Sequence, residues 1–410
     1  MKPRKSKAKT TRAKKTQTTK TQDTKTRARK PQPRKAQPKK PQPRKAQASK
    51  SRKRPSSVEK VTLGQTDINK SDLRRLQLAW QQKHLVLFLG AGISIPYGIP
   101  SWKDLVLELL FEQAAHTRRL GSVWPHYRRA LAAWMTDYFE YNPLVLARMV
   151  ERDTRKRSQK KGAAKTDGEE IFLEKLRAHI YRDHRPPRGR RTTLHAIGNL
   201  IQRSRGHIKC AISFNFDDLL EQELASRRIP TLSISDGIRQ HSGDFRIIHP
   251  HGFVPKEGPI VRGRLVFTED DYHRLTETVF HWGLSEIVGE LRQSTVLFLG
   301  LSMSDPSLRR LLDASKNSDI PPHWQVQRRH QVRDHEEAAV INDIENRARR
   351  WGGILGYDEQ KNQPQLADAL HAALKQADTY DRQLFETMGV KTIWVNSFDD
   401  IPLLLDRIPG

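Results

Sequence analysis

The chain has 410 residues and a formal charge of +28, and that charge is very unevenly placed. Residues 1–55 hold 23 Lys and Arg against one acid, Asp23, leaving 51 bases and 45 acids in the rest. One cysteine, Cys210, excludes a disulfide framework and a cysteine-built zinc site, and no apolar run reaches the roughly 18–20 residues that a bilayer span needs.

In chain order, the basic segment comes first. It has no aromatic residue and little to bury, and it repeats Lys-Pro-Gln-Pro-Arg-Lys-Ala-Gln at 30–37 and 40–47. Such composition predicts a disordered tail over 1–65 with polyproline character. Its charge density predicts phosphate binding without sequence preference, because lysine and arginine release counterions from nucleic acid. The N-terminus lacks the apolar stretch of a secretory signal, so a cytoplasmic protein is expected. A folded domain is expected over 70–410, opened by a lead-in helix from Ser71 to Lys83.

Leu85 to Leu89 is an unbroken apolar run of strand length, the pattern of a central strand buried on both faces. Gly90, Ala91 and Gly92 follow directly, and a helical pattern begins near Lys103. Small residues at a strand end let backbone approach a phosphate. The turn is not a Walker loop, since no Gly-Lys-Ser/Thr follows, and Ile95 stands where the hydride-transfer fingerprint has its third glycine.

Residues 103–205 read mostly as helix and form an insertion expected to cap a ligand cleft. Three more apolar runs then end in polar or small residues. Strand 208–214 leads into Asn215-Phe216-Asp217-Asp218, and Phe245 to Ile248 into His249-Pro250-His251-Gly252. Thr295 to Leu299 leads into Gly300-Leu301-Ser302-Met303-Ser304-Asp305-Pro306. A helix is expected from Thr276 to Arg292 and another from Leu308 to Leu312. Val390 to Val395 reads as the last strand and Asp399 to Ile408 as the last helix. The alternation predicts an α/β fold, a Rossmann-like, mainly parallel sheet with ligands at the C-terminal ends of its strands.

The order Gly-Ala-Gly-Ile-Ser-x-x-x-Gly-Ile-Pro (90–100), Asn-x-Asp (215–217), His-Gly (251–252) and Gly-x-Ser (300–302) resembles the sirtuin NAD-binding core. It looks most like the sirtuin-like NADases of bacterial antiphage defence. That resemblance implies a hydrolase that cleaves NAD at the nicotinamide–ribose bond, and with it a homo-oligomer or a partner defence protein that restrains the activity. It assigns Asn215 to positioning water and ribose, and His251 to the general base. Asp217 would hold the nicotinamide carboxamide. Gly90, Ala91, Gly92 and Ser94 would meet the pyrophosphate, and Gly300 and Ser302 the adenosine end.

Plainer readings stand beside these roles. Asn215 can close an Asx turn, and Asp217 can cap a helix starting at Leu219. His249 reads as structural, Asp305-Pro306 as a helix start, and Thr268 and Tyr272 equally as cleft lining or as a surface helix start. Trp102 replaces the Phe of the sirtuin Asp-Phe-Arg sequence, and no Arg follows. The alternatives are an ADP-ribosyltransferase or deacylase, a non-catalytic NAD or ADP-ribose sensor, and a nucleic-acid-binding protein resting on the tail alone. Sirtuin deacylases carry a four-cysteine zinc module and a Phe-Gly-Glu element after His-Gly; this chain has one cysteine and Phe253-Val254-Pro255 there, so the comparison implies no zinc, no acyl-lysine groove, and water as the nucleophile.

Overall fold

The computed structural model describes residues 67–114, 127, 130, 134, 142–160, 167–187, 191–204, 206–237, 243–261, 265–277, 281–303, 305–316, 322–332, 334–350 and 359–409. The basic tail and its repeat lie outside the described residues.

Among these residues, seven strands form one sheet: β1 (Leu85–Leu89), β2 (Ile208–Ser213), β3 (Thr231–Ile234), β4 (Phe245–Ile248), β5 (Thr295–Leu299), β6 (His323–Arg328) and β7 (Val390–Val395). Their order is β3-β4-β2-β1-β5-β6-β7, and every neighbouring pair is parallel. The sheet is Rossmann-like. β1 and β5 sit at its centre with all five residues of each buried, which explains why both are unbroken apolar runs. From β1 the chain moves to β2, then to the edge strand β3, comes back to β4 between them, and crosses to β5 on the opposite side of β1. The strand order therefore reverses at β1, and in open parallel sheets ligands bind at the C-terminal edge beside such a reversal.

The helices are α1 (Lys70–Gln81), α2 (Trp102–Ala114), α3 (Pro143–Lys160), α4 (Asp167–Ile180), α5 (Thr193–Ser204), α6 (Leu219–Ser226), α7 (Glu269–Glu277), α8 (Trp282–Gln293), α9 (Pro306–Ser315), α10 (Asp334–Arg350), α11 (Glu359–Thr387) and α12 (Ile401–Asp406). Alternate side chains of β1 face two cores. Leu85, Leu87 and Leu89 pack with Leu105, Leu109, Leu176 and Leu194 from the helical block between β1 and β2. Val86 and Phe88 pack with Ile287, Phe298, Leu308 and Met388 on the other face.

Several boundaries differ from the sequence reading. The helix expected from Thr276 to Arg292 is two helices, α7 and α8, and His281 caps the second by accepting from the Gly283 amide. The last helix is shorter than Asp399–Ile408, because a 3-10 turn over Phe398–Asp400 with a Ser397–Asp400 capping box precedes α12. β2 ends at Ser213, one residue early. β3, β6, α10 and α11 were not anticipated. In β6 the buried positions include His323 and Gln325, which hide the strand from an apolar-run criterion. They are tolerated because Gln325 donates to Thr392 Oγ1 (2.9 Å) and the Val296 amide donates to His323 Nδ1 (3.3 Å).

Candidate functional site

The expected site residues come from four strand ends that share one edge of the sheet. After β1 the chain makes two short 3-10 turns, Ala91–Ile93 and Ile95–Tyr97. The Gly90 amide donates to Leu299 O (3.0 Å) and the Gly92 amide to Gly300 O (2.9 Å). Gly90 and Gly92 thus join the β1 turn to the β5 loop. A Cβ on Gly92 would lie 2.8 Å from Gly300 Cα, and one on Gly300 would lie 2.7 Å from the Ile93 nitrogen. Gly300 also has a φ of 69°, in the left-handed region. The two glycine motifs are needed first for this close approach of backbone to backbone. Gly90 and Ser94 are buried, whereas Gly92 and Ser302 are exposed and Ala91 is half-buried.

Asn215 and Asp217 follow β2 and converge on Ser94. Asn215 Nδ2 donates to Gly90 O (3.1 Å) and to Ser94 Oγ (3.0 Å). Ser94, only 1% exposed, is also hydrogen-bonded to the Asp217 carboxyl. The result is a buried chain from Asn215 through Ser94 to Asp217. Asp217 Oδ1 accepts from the Leu219 amide (3.1 Å) at the start of α6, whereas the N-cap residue itself is Asp218, which makes no side-chain cap bond. Burial pushes its carboxyl up to about 6, against the hydrogen bonds from Ser94 and Leu219.

His251, after β4, is buried with its ring edge-on to Phe214 (5.4 Å) and Tyr272 (5.6 Å). Burial pushes the imidazole down to about 4, while the nearby Asp305 works in the opposite direction. His251 is therefore neutral at physiological pH and able to accept a proton. His281 lies near enough to add to the depression of His251. Burial and the carboxylates of Asp305 and Asp271 push the Tyr272 hydroxyl up, so it stays protonated. Asp305 itself caps α9, with Oδ1 accepting from the Ser307 amide (2.8 Å) and Pro306 opening the helix.

His249 faces elsewhere, as its structural reading requires. It is wholly buried, with Nε2 2.8 Å from Glu221 Oε1 and its ring stacked on Phe253. Ser233 Oγ donates to the same Glu221 oxygen (2.7 Å). Burial works to raise the Glu221 carboxyl, but His249 and Ser233 outweigh it and hold it below its ordinary value. Thr268 caps α7: its amide and hydroxyl both donate to Asp271 Oδ2, at 2.7 and 2.8 Å. Trp102 opens α2 and lies edge-on to Phe267.

Five hydrogen bonds, all made by Tyr97 or Tyr181, bind the helical block to this site, and none was visible in the sequence. Tyr97 OH lies 2.7 Å from Thr192 Oγ1, and the Arg185 amide donates to Tyr97 O (2.9 Å). Tyr181 OH lies 2.7 Å from Asp218 Oδ1 and 2.8 Å from Val254 O, and accepts from the Asp218 amide (3.0 Å). Tyr181 thereby links the Asn-x-Asp and His-Gly loops. Its signal was absent because a tyrosine at a helix end reads as ordinary core. Among the described residues, no group of three or more His, Cys, Asp or Glu side chains could hold a metal ion, and no helix is long and apolar enough to cross a membrane.

The family model of the SIR2-like domain matches residues 209–349, from within β2 to the end of α10. That span includes Asn215, Asp217, His251, Gly300 and Ser302, and leaves out the β1 glycine turn and the helical block. It supports a sirtuin-like assignment and NAD-dependent activity in general. A solved structure described as "Structural Basis for the Mechanism and Regulation of Sir2 Enzymes" is similar at 14% identity and a TM-score of 0.30, over 65% of this chain and 90% of that one. No curated protein matches the chain.

Proposed function

We propose that this chain is an NAD-cleaving hydrolase that releases nicotinamide and ADP-ribose, acting as an antiphage defence effector. One observation carries the chemistry: a buried neutral histidine and a buried Asn–Ser–Asp chain stand on adjacent strand ends at the crevice of a parallel sheet. In this reading the dinucleotide's pyrophosphate lies on the exposed side of the Ala91–Gly92 turn, and its adenosine end lies by Gly300 and Ser302. Asp217 accepts from the nicotinamide carboxamide. Asn215 orients a water against C1′ of the nicotinamide ribose. The water oxygen bonds to C1′ and the bond to nicotinamide breaks, its electron pair leaving with the neutral base. The water proton passes to His251.

Water is favoured over a peptide acceptor. The segment after His-Gly is pinned, with the buried Val254 donating its amide to Phe216 O (2.7 Å). That amide is not available to pair with an acyl-lysine strand.

The test is Asn215→Ala and His251→Ala, assayed for NAD turnover and for NAD affinity by calorimetry. Positioning supplies roughly 7–11 kcal/mol of a barrier when reactants are well held, so Asn215→Ala abolishes measurable turnover. Loss of a general base costs about 10²–10⁴-fold, so His251→Ala leaves a trace. NAD affinity stays within a few-fold in both. Parental turnover by Asn215→Ala would overturn the mechanism.

A further inference from the structure

The helical block meets the site in two chemically different ways. Toward β1 and β2 it is held by the hydrogen bonds of two tyrosines, Tyr97 and Tyr181. Toward His251 it is held by charge. Arg148 of α3 pairs with Glu269 (3.1 Å) and with Asp270 (3.0 Å), and Arg152 pairs with the same Asp270 oxygen (3.1 Å). The two arginines stand at i and i+4 on α3 and so share one face. Their partners are the first two residues of α7. Glu151 of α3 also senses α7: burial pushes its carboxyl up, Arg155 opposes that, and Asp271 adds to it. Without the arginines, α3 and α7 would face each other with like charge.

The element held in this way reaches the candidate base. The Val266 amide, shortly before α7, donates to His251 O (2.9 Å), and Tyr272, one turn into α7, lies edge-on to the His251 ring (5.6 Å). Phe267 is anchored in the core, with ring centroids 6.3, 5.8 and 5.7 Å from those of Trp102, Phe172 and Phe216. Packing thus fixes the approach to α7, whereas its acidic first turn leans on α3. The side chains of Arg148 and Arg152 are 33% and 58% exposed. Pairs at such exposure are individually weak and are screened by salt. The contact therefore orients α7 more than it stabilises the fold.

We propose that Arg148 and Arg152 are positioning residues for the cleavage step: by holding the acidic turn of α7 they keep Tyr272 against His251 and fix the ring that takes the water proton. Neither arginine touches the reacting atoms. The proposal rests on the hydrolase reading for its effect on rate, and not for its effect on local structure. Two consequences separate it from a merely structural role. The damage falls on kcat and spares the binding of ADP-ribose, which lacks nicotinamide. Salt also reproduces the loss of the arginines, because the screening length shortens from about 10 Å at 0.1 M to about 3 Å at 1 M.

The experiment uses the full chain and three variants with melting curves equal to the parent's. They are Arg148→Glu/Arg152→Glu, the neutral Arg148→Gln/Arg152→Gln, and a charge swap that adds Glu269→Lys/Asp270→Lys to the first. Each is assayed for turnover at saturating NAD, for ADP-ribose affinity by calorimetry, and for amide hydrogen exchange over residues 265–275. Misplacement by about 1 Å can cost on the order of 10²-fold in rate, so charge reversal is expected to lower kcat by roughly ten- to a hundredfold. ADP-ribose affinity stays within about twofold, and exchange over 265–275 speeds up several-fold. The charge swap restores most of kcat and the slow exchange. Between about 0.1 and 1 M NaCl the parent loses kcat several-fold, whereas the neutral variant, already slow, does not change. Parental kcat or parental exchange in the reversed variant, or no recovery on charge swap, overturns the proposal. A parent that leaves NAD intact while its exchange still follows the charges fails the hydrolase reading and supports the hold of α3 on α7.

Discussion

Asp217 is a residue whose placement opposes stability. Its carboxyl is buried, and burial raises it from the ordinary 3.8 to about 6. The folded chain therefore holds this proton more tightly than the unfolded chain does. Below the unfolded value both states are protonated and nothing is lost. As pH rises from the unfolded value to about 6, stability falls by about 2–3 kcal/mol, and above 6, with the buried carboxyl ionised, the loss is complete. Asp217→Asn, which keeps an acceptor for Ser94 and for the Leu219 amide, is expected to stabilise the protein by about that amount at neutral pH. At pH near the unfolded value the difference vanishes. Denaturant melts at the two pH values check this. The same variant has lowered but measurable activity if the carboxylate receives the carboxamide. A second consequence concerns rate. kcat/KM reports the free enzyme, so acidification lowers it in two steps, one near 6 from Asp217 and one near 4 from His251. Asp217→Asn removes the upper step. A single step in the ordinary histidine range, unchanged by that variant, contradicts the assignment.

At the scale of elements, the β1 turn and the β5 loop behave as one unit. Gly300→Ala forces a side chain at a φ of 69° against the Ile93 nitrogen. A loss on the order of 2–4 kcal/mol in stability follows from combined strain and overpacking, together with weaker NAD binding. Gly98→Ala is as damaging, since its Cβ would lie 2.1 Å from Asp183 O at a φ of 82°. Thermal melts and calorimetry measure both, and a neutral Gly300→Ala contradicts the close-approach account. These elements also show what the sequence made legible. Buried central strands betray themselves as apolar runs, so β1, β4, β5 and β7 were placed to the residue, and with them the strand ends that carry the candidate site. β6 was missed because hydrogen-bonded His323 and Gln325 sit where apolar residues were sought. β3 was missed because only Ile234 of its four residues is buried. The convergence of Asn215 and Asp217 on Ser94 was not legible either, since side-chain contacts between residues more than a hundred positions apart leave no local pattern. The ion pairs between α3 and α7 went unseen for the same reason.

At the scale of the whole molecule, the uneven charge leads to the first expectation. The basic tail is expected to bind polyanions without sequence preference, with affinity falling steeply as salt rises. Deletion of residues 1–55 is expected to abolish DNA binding in filter or anisotropy assays and to leave NAD cleavage intact. Undiminished DNA binding by the truncated chain places that function elsewhere. Uncontrolled NAD loss is toxic, so the effector reading calls for restraint by assembly. In that reading the helical block is the surface proposed for the restraint, since Tyr181 and Tyr97 tie it to both halves of the site. Turnover per chain is then expected to rise with protein concentration. The central claim is tested most directly by incubating the concentrated full chain and its Asn215→Ala variant with NAD, and resolving the products by chromatography. The account predicts nicotinamide and ADP-ribose in equal amounts from the parent, with no added acceptor, and intact NAD with the variant. NAD left intact by the parent at every concentration, or nicotinamide released only when an acylated peptide is supplied, would contradict it.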